Sequence, residues 1–133
     1  MKIINIFGRS TVSAKVHTQQ NYLQKWNNYG YNVELITEFA KDCVYEKQFD
    51  ILNNDQLFVL ANQNRKIQRI IESNENIEYV ITDSPLLLSK IFAIKNKVKH
   101  NYLSFHNFCV DLFASYDNIN LVLTSNFKYQ LER

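Results

Sequence analysis

Glycine and proline are scarce in this chain of 133 residues, which contains two glycines and one proline. The two glycines, Gly8 and Gly30, are separated by more than twenty residues and cannot share a tight loop. A glycine-rich phosphate-binding loop needs glycines close together, because its backbone must wrap the phosphates at conformations that other residues resist. The composition therefore excludes such a loop in its usual form.

Cysteine pairs, apolar runs and excess charge are also missing. The two cysteines, Cys43 and Cys109, form no CxxC pair, which disfavours a zinc site and predicts two reduced, buried thiols. No apolar run approaches the roughly 18 residues of a membrane helix, and no signal peptide precedes the first strand. We therefore expect a cytoplasmic protein with no membrane contact. A net charge of +2 offers no electrostatic case for nucleic-acid binding.

The residues that are present predict a single α/β domain over residues 1–133 with a polar tail at 124–133. Hydrophobic residues make up 46% of the chain, which is enough for a packed core. Short apolar strands alternate with amphipathic helices, an order that predicts parallel strands joined by helical crossovers. We expect strands at residues 2–7, 31–36, 77–82 and 119–123 and a loop at residues 49–54. The first helix should begin between residues 11 and 14 and end at residues 27–30, and further helices should lie at about residues 39–46, 55–73, 86–94 and 101–116.

A polar or acidic residue follows each predicted strand. Residues 8–16, 37–38, 82–84 and 124–125 should meet at one edge of the sheet, since the carboxyl ends of parallel strands lie together. Ligands of open parallel sheets bind at that edge. A purely structural sheet also has polar strand ends, so the layout is compatible with a site and with none.

Three charged residues near this edge are candidates for chemistry. Asp83 directly follows an apolar strand, where phosphoryl-transfer enzymes hold magnesium, but it could instead cap the helix that begins near Pro85. Glu38 could accept a hydroxyl proton or bind a ribose. Alternatively, it could be an acidic residue in the first turn of the next helix, where the helix dipole stabilises a negative charge. Arg65 could reach an anionic substrate or face solvent.

Four segments carry a resemblance to a known family: MKIINIFG, YNVELITEFAKD, DQLFVLANQNRK and YVITDSPLLLS. In order and spacing they resemble the small P-loop kinase-like ATPases of tailed phages, which are related to the nicotinamide riboside kinase domain of NadR-type proteins. The resemblance covers residues 1–124. It implies a three-layer sandwich of P-loop kinase type, whose parallel sheet has the strand order 2-3-1-4.

The resemblance also implies site residues and cofactors. ATP would lie on a phosphate loop that contains Gly8, Ser13 and Lys15. Asp83 would be the acidic residue that holds magnesium and takes part in catalysis. Glu38 would be catalytic. Glu38 and Arg65 would both face the acceptor substrate.

The chain departs from the family pattern in the phosphate loop itself. The pattern is G-x-x-x-x-G-K followed by Ser or Thr. Counted from Gly8, the second glycine falls on Ser13, the lysine on Ala14 and the hydroxyl on Lys15. A shift by one residue places Lys15 correctly but puts Ala14 and Val16 at the glycine and hydroxyl positions. The sequence therefore predicts a degenerate phosphate loop.

The second departure lies at the other end of the chain. The family continues beyond the fourth strand into a basic lid and a fifth strand, so this chain is expected to be C-terminally shortened. Lys128 and Arg133 are the residues that could replace the lid cations. A fourth strand without a neighbour would be an exposed edge, which favours a homodimer or a protein partner.

Taken together, these features predict a non-catalytic binding or regulatory module on a kinase-like scaffold, with weak nucleotide binding or none. The resemblance points to a phage setting, in which a small protein that targets a host factor would fit. The alternative is an active ATP-dependent nucleoside or nucleotide kinase, or an ATPase.

Overall fold

The computed structural model describes residues 1–8, 12–73, 75–95 and 102–123, with the side chains of residues 12–16, 18 and 102 left out. Within these ranges the chain forms four strands and six helices. Their order is β1 (Lys2–Gly8), α1 (Val12–Asn28), β2 (Val33–Ile36), α2 (Phe39–Tyr45), α3 (Phe49–Asn54), α4 (Gln56–Glu72), β3 (Tyr79–Thr82), α5 (Leu87–Lys95), α6 (Tyr102–Ala114) and β4 (Asn118–Leu123). No helix in these ranges is long and apolar enough to cross a membrane.

The four strands form one parallel sheet in the order β2-β3-β1-β4. The parallel α/β architecture and the strand order that the family resemblance implied are therefore confirmed. β1 is central because its side chains are apolar on both faces, and Ile3, Ile4 and Ile6 are at most 2% exposed. In the described sheet, β2 and β4 are the edge strands, as predicted for β4.

Helices cover both faces of the sheet. On one face, Ile3 packs with Leu60 of α4 and Cys109 of α6. On the other face, Ile4 packs in a second cluster against which Trp26 of α1 lies. Successive strand residues point to opposite faces, so one apolar strand contributes side chains to both layers. Burial of each aliphatic side chain stabilises the folded state by about 1.5–3 kcal/mol.

A buried asparagine fixes the pairing of β1 with β4. Asn5 is 2% exposed in the middle of the apolar strand β1. Its Nδ2 donates to Asn118 Oδ1 at 2.9 Å and to Asn120 Oδ1 at 3.1 Å, both on the edge strand. A one-residue slip of β4 would turn both acceptors to the opposite face, so these bonds specify the strand register.

A second polar cluster joins α4 to the segment before β4. The Tyr116 hydroxyl donates to Asn64 Oδ1 at 2.6 Å and accepts from Gln68 Nε2 at 2.6 Å. Asn64 interrupts the apolar face that the sequence predicts for this helix. The structure explains the interruption, because the amide satisfies the hydroxyl of a half-buried tyrosine.

Two expectations about the helices were wrong. Residues 49–54, predicted as a loop, form α3. Local composition does not predict this helix because a residue outside it caps its last turn: Gln56 Nε2, from α4, donates to the Leu52 carbonyl oxygen at 2.7 Å. Residues 86–94 are apolar on nearly all sides, which predicts that helix α5 is deeply packed. It packs through one side only, and Ile91 and Ile94 are 52% and 51% exposed.

Both cysteines are free and buried, as predicted. Burial raises the pKa of the Cys109 thiol to about 11. Burial, assisted by the nearby carboxylates of Glu46 and Asp42, also raises the pKa of the Cys43 thiol. No group of three or more His, Cys, Asp or Glu side chains in the described ranges is arranged to hold a metal ion.

Candidate functional site

The carboxyl ends of the four strands lie at one edge of the sheet because all the strands are parallel. Glu38 follows β2 and Asp83 follows β3 at this edge, whereas Gly8 is the last residue of β1. Residues 124–125, which were expected to complete the edge, and the proposed lid cations Lys128 and Arg133 lie outside the described residues.

Gly8 is held by packing against β4. Its φ is +151°, and a Cβ at this position would lie 2.8 Å from the carbonyl oxygen of Leu123 and 2.9 Å from the Cβ of that residue. Gly8 and Leu123 are partners in the strand register. A glycine is therefore required here by the close approach of two strands, whether or not a phosphate binds nearby.

The connection from β1 to α1 is short. β1 ends at Gly8 and α1 begins at Val12, so residues 9–11 alone join them. Ser13 and Lys15, the other two predicted phosphate-binding residues, lie in the first turn of α1, and their side chains are outside the described set. In a phosphate loop the second glycine follows four intervening residues and precedes the lysine. Here that position is Ser13 and the lysine position is Ala14, so the glycine and the cation of the pattern are both replaced.

Asp83 is a buried carboxylate at the same edge. Its residue is 6% exposed. The adjacent turn is closed by the backbone N–H of Ser84, which donates to Thr82 Oγ1 at 3.0 Å. Among the residues that the structure describes, the Asp83 carboxylate has no hydrogen-bond or ion-pair partner, and no capping bond to α5 is found. One carboxylate without a phosphate cradle is an incomplete magnesium site, since magnesium is bound by one or two carboxylates together with substrate phosphates.

Glu38 lies at the N-cap of α2 but does not cap that helix with its side chain. The backbone N–H of Phe39 instead donates to Gln63 Oε1 of α4 at 2.9 Å. Lys66 of α4 strengthens the same connection, because its Nζ donates to the Thr37 carbonyl oxygen at 3.1 Å and to Asp42 Oδ2 at 2.9 Å. Helix α4 therefore positions the backbone around Glu38.

A cavity of about 240 Å³, here called the carboxyl-edge cavity, lies between α2, α3, α4 and α5. Its walls combine apolar and polar groups. The apolar part includes Val59 and Leu88. The polar and charged residues in the wall are Glu38, Asn53, Gln56, Ser84, Ser89 and Lys95. A small apolar pocket with a few convergent polar groups is the usual form of a small-molecule site.

Gln56, in the wall of this cavity, has a buried polar atom without a hydrogen-bond partner among the described residues. The residue is 4% exposed, and its Nε2 is bonded to the Leu52 carbonyl oxygen. Its Oε1 is buried and has no hydrogen-bond partner in the described part of the chain. An unsatisfied buried acceptor costs about 1–3 kcal/mol, so a ligand that donates a hydrogen bond to this oxygen would recover that free energy.

Arg65 lies apart from the cavity. Its Nη1 donates to both carboxylate oxygens of Glu72, at 2.9 Å and 3.0 Å, and the two side chains are 58% and 57% exposed. Because Glu72 is two turns further along α4, the guanidinium reaches toward the end of the helix. The structure thus brings Glu38 and Ser84, the neighbour of Asp83, to one cavity and leaves Arg65 on the solvent side.

Sequence reasoning missed four polar residues of the cavity wall, namely Asn53, Gln56, Ser89 and Lys95. Gln56 is the first residue of α4 and Lys95 is the last residue of α5, positions where polar residues are ordinary. Ser89 lies within an apolar helix, and its burial offered a weak signal at best. Their convergence depends on how α3, α4 and α5 pack.

Comparison of the chain with protein-family models, with curated proteins and with solved structures returns no match. The functional proposal below therefore depends on the chain's own residues and their geometry.

Proposed function

We propose that this protein is a non-catalytic binding module on a P-loop-kinase-like scaffold, and that it holds a small polar ligand in the carboxyl-edge cavity. The observation that carries the proposal is Gln56, which lines the cavity and whose buried Oε1 has no hydrogen-bond partner in the described part of the chain. A buried acceptor without a partner lowers the stability of the free protein, and a bound donor compensates for it.

The lining of the cavity defines the chemistry of the ligand. Gln56 Oε1 calls for an N–H or O–H donor, and the Glu38 carboxylate favours a second donor or a cation. Lys95 adds a positive charge at another part of the wall. The volume of about 240 Å³ lies below the roughly 300–1,000 Å³ of drug-sized sites, so the ligand is smaller than a nucleoside triphosphate. A small planar amide or amino-heterocycle has the required donors.

The β1–α1 connection supports the non-catalytic part of the proposal. Phosphoryl transfer depends on holding phosphates and magnesium in position, with little covalent chemistry by the protein. The positions of the second glycine and the lysine hold Ser13 and Ala14, and a glycine is required at position 8 by the close approach of Leu123. These residues do not supply the second glycine and the lysine of a usual phosphate cradle.

An active ATP-dependent kinase or ATPase is the second candidate. The observation that favours it is the buried carboxylate of Asp83 directly after β3. This is the position from which such enzymes reach magnesium. Of the implied cofactors, magnesium would need both this carboxylate and phosphate oxygens, and the sequence lacks the second glycine and the lysine of an ATP cradle that would present them.

The two candidates are separated by thermal unfolding with two sets of ligands. Adenine and nicotinamide, which are small N–H donors, should raise the melting temperature, whereas acetate should not. A ligand at 100 times its Kd stabilises the folded state by about 2.7 kcal/mol. Magnesium–ATP, ADP and GTP at millimolar concentration should give no shift. A nucleotide shift that Lys15→Ala abolishes would overturn the proposal in favour of the kinase.

Gln56→Met is the matched variant for the cavity. It removes the amide oxygen while keeping the side-chain length, so the shift with adenine or nicotinamide should disappear. Gln20→Met makes the same change at an exposed position of α1 and should leave the shift intact. Retention of the shift in Gln56→Met would show that the ligand does not use this oxygen.

A further inference from the structure

The second edge strand, β2, borders a groove of about 540 Å³, which we call the β2 groove. Four consecutive residues, 34–37, line it together with Lys66, Arg69 and Ile70 of α4. Consecutive strand residues point to opposite faces of a sheet. All four can line one groove only if the groove follows the backbone of the strand, on the side away from β3.

The backbone along this groove is available for pairing. β2 hydrogen-bonds to β3 on one side, and no described strand lies on its other side. An edge of this kind has a row of N–H and C=O groups that can pair with an added strand. At the carboxyl end, Lys66 Nζ donates to the Thr37 carbonyl oxygen at 3.1 Å and limits the open stretch to Val33–Ile36.

The two ends of the groove differ in charge. At the carboxyl end, Lys66 is paired with Asp42 at 2.9 Å. At the amino end, Asn32 Nδ2 donates to the Asn76 carbonyl oxygen at 2.9 Å, and Glu34 and Glu75, which are close in sequence to these two residues, both line the groove. Both glutamates are exposed and have no ion-pair partner in the described part of the chain.

One cation in the groove is also unpaired. Arg69 is exposed and lines the wall contributed by α4. Two unpaired carboxylates against one unpaired cation leave the amino half of the groove with a net negative charge. The buried Ile77 and half-buried Ile70 add an apolar surface beside it.

We propose that the β2 groove binds an extended segment of a partner protein as a fifth strand beside β2, and that a basic residue of this segment pairs with Glu34 and Glu75. Backbone hydrogen bonds to Val33–Ile36 supply the affinity, and the charges supply orientation and selectivity. This surface is separate from the carboxyl-edge cavity, with which it shares no lining residue. The protein would then have two binding sites, one for a small ligand and one for an extended peptide.

The probe is a fluorescent acetyl-Lys-Val-Thr-Val-Thr-Val-amide peptide, measured by anisotropy, with amide shifts followed by NMR. Binding should shift the amides of residues 34–37 and of the second half of α4. A peptide with Glu in place of Lys should bind at least tenfold more weakly, because it meets two carboxylates. An absence of shifts in these residues at millimolar peptide would overturn the proposal.

Backbone methylation tests the strand pairing itself. N-methylation removes donors from alternate residues of the peptide, and only one of the two alternating sets faces β2. Methylation of that set should weaken binding at least tenfold, and methylation of the other set less than twofold. Equal effects from both sets would show that the peptide does not pair as a strand.

The charge pairing is tested in the protein with Glu34→Lys combined with Glu75→Lys, which should weaken the Lys peptide at least tenfold. Glu46→Lys with Asp111→Lys makes the same net charge change at exposed positions outside the groove and should leave binding within twofold. Equal losses of peptide affinity in both double variants would show that the effect comes from net charge and would contradict pairing with Glu34 and Glu75. The last check is made without peptide, by sedimentation for the oligomeric state and by amide exchange for residues 34–37. A dimer in which these amides are protected would show that a second copy of the chain binds in the groove, and would overturn the proposal.

Discussion

Gly8 and Leu123 approach each other so closely that no side chain fits between them: a Cβ on Gly8 would lie 2.8 Å from the Leu123 carbonyl oxygen. The glycine that resembles the start of a phosphate loop thus has a structural role in joining β1 to the edge strand β4. The structural need for a glycine at this position is therefore independent of any nucleotide.

Gly8→Ala should destabilise the protein more than Gly30→Ala. Both positions have positive φ, which costs a non-glycine residue about 1–2 kcal/mol. Gly30 has no atom within 4 Å of the added Cβ, whereas Gly8 meets backbone and side-chain atoms of Leu123. We therefore expect a loss above about 2 kcal/mol for Gly8→Ala, measured by urea denaturation. Equal losses at the two glycines would show that the contact with Leu123 is unimportant.

Tyr116→Phe should lower the free energy of unfolding by about 1–3 kcal/mol. It removes the hydroxyl that bonds Asn64 and Gln68 and leaves two amides without that partner. Tyr45→Phe removes a hydroxyl from a residue that is 81% exposed and should change stability by less than about 0.5 kcal/mol. Urea denaturation of both variants measures the difference. Similar values for the two would argue against a role for the cluster in holding α4 to the β4 segment.

Arg65→Met should have little effect. Its ion pair with Glu72 is more than half exposed, and such pairs contribute about 0–1 kcal/mol. Adenine or nicotinamide binding should be unchanged, because Arg65 does not line the cavity, whereas Glu38→Gln should weaken it. Calorimetric titration of both variants checks the expectation. Loss of binding in Arg65→Met would restore the substrate role that the sequence predicted for this arginine.

The buried thiol of Cys109 should make stability fall at high pH. Its pKa is raised from 9.0 to about 11 by burial, so the folded state retains a proton that the unfolded state loses. This contribution is fully present below pH 9 and is lost as the pH rises toward 11. Urea denaturation across this interval should give a steeper decline for the wild type than for Cys109→Ala. Parallel profiles of stability against pH for the two proteins would contradict a raised pKa of the Cys109 thiol.

Much of the scaffold was predictable because its signals are local. Apolar strands such as Lys2–Gly8 and the amphipathic stripe of α4 determine which residues form strands and helices, and the strand–helix alternation predicts a parallel sheet. Candidates placed after the strands, such as Glu38 and Asp83, could be named because topology brings strand ends together. The resemblance supplied the strand order.

The sequence by itself determined the parallel α/β scaffold, the two reduced and buried cysteines, and the departures from the phosphate-loop pattern, since each depends on residue type and spacing. Only the tertiary structure decided that α3 is a helix, that Gln56 lines a cavity and has a buried oxygen without a partner among the described residues, and that Arg65 pairs with Glu72. It also decided that β2 borders an open groove. These features arise where side chains distant in sequence meet, and local patterns carry no information about which groups remain unpaired after packing.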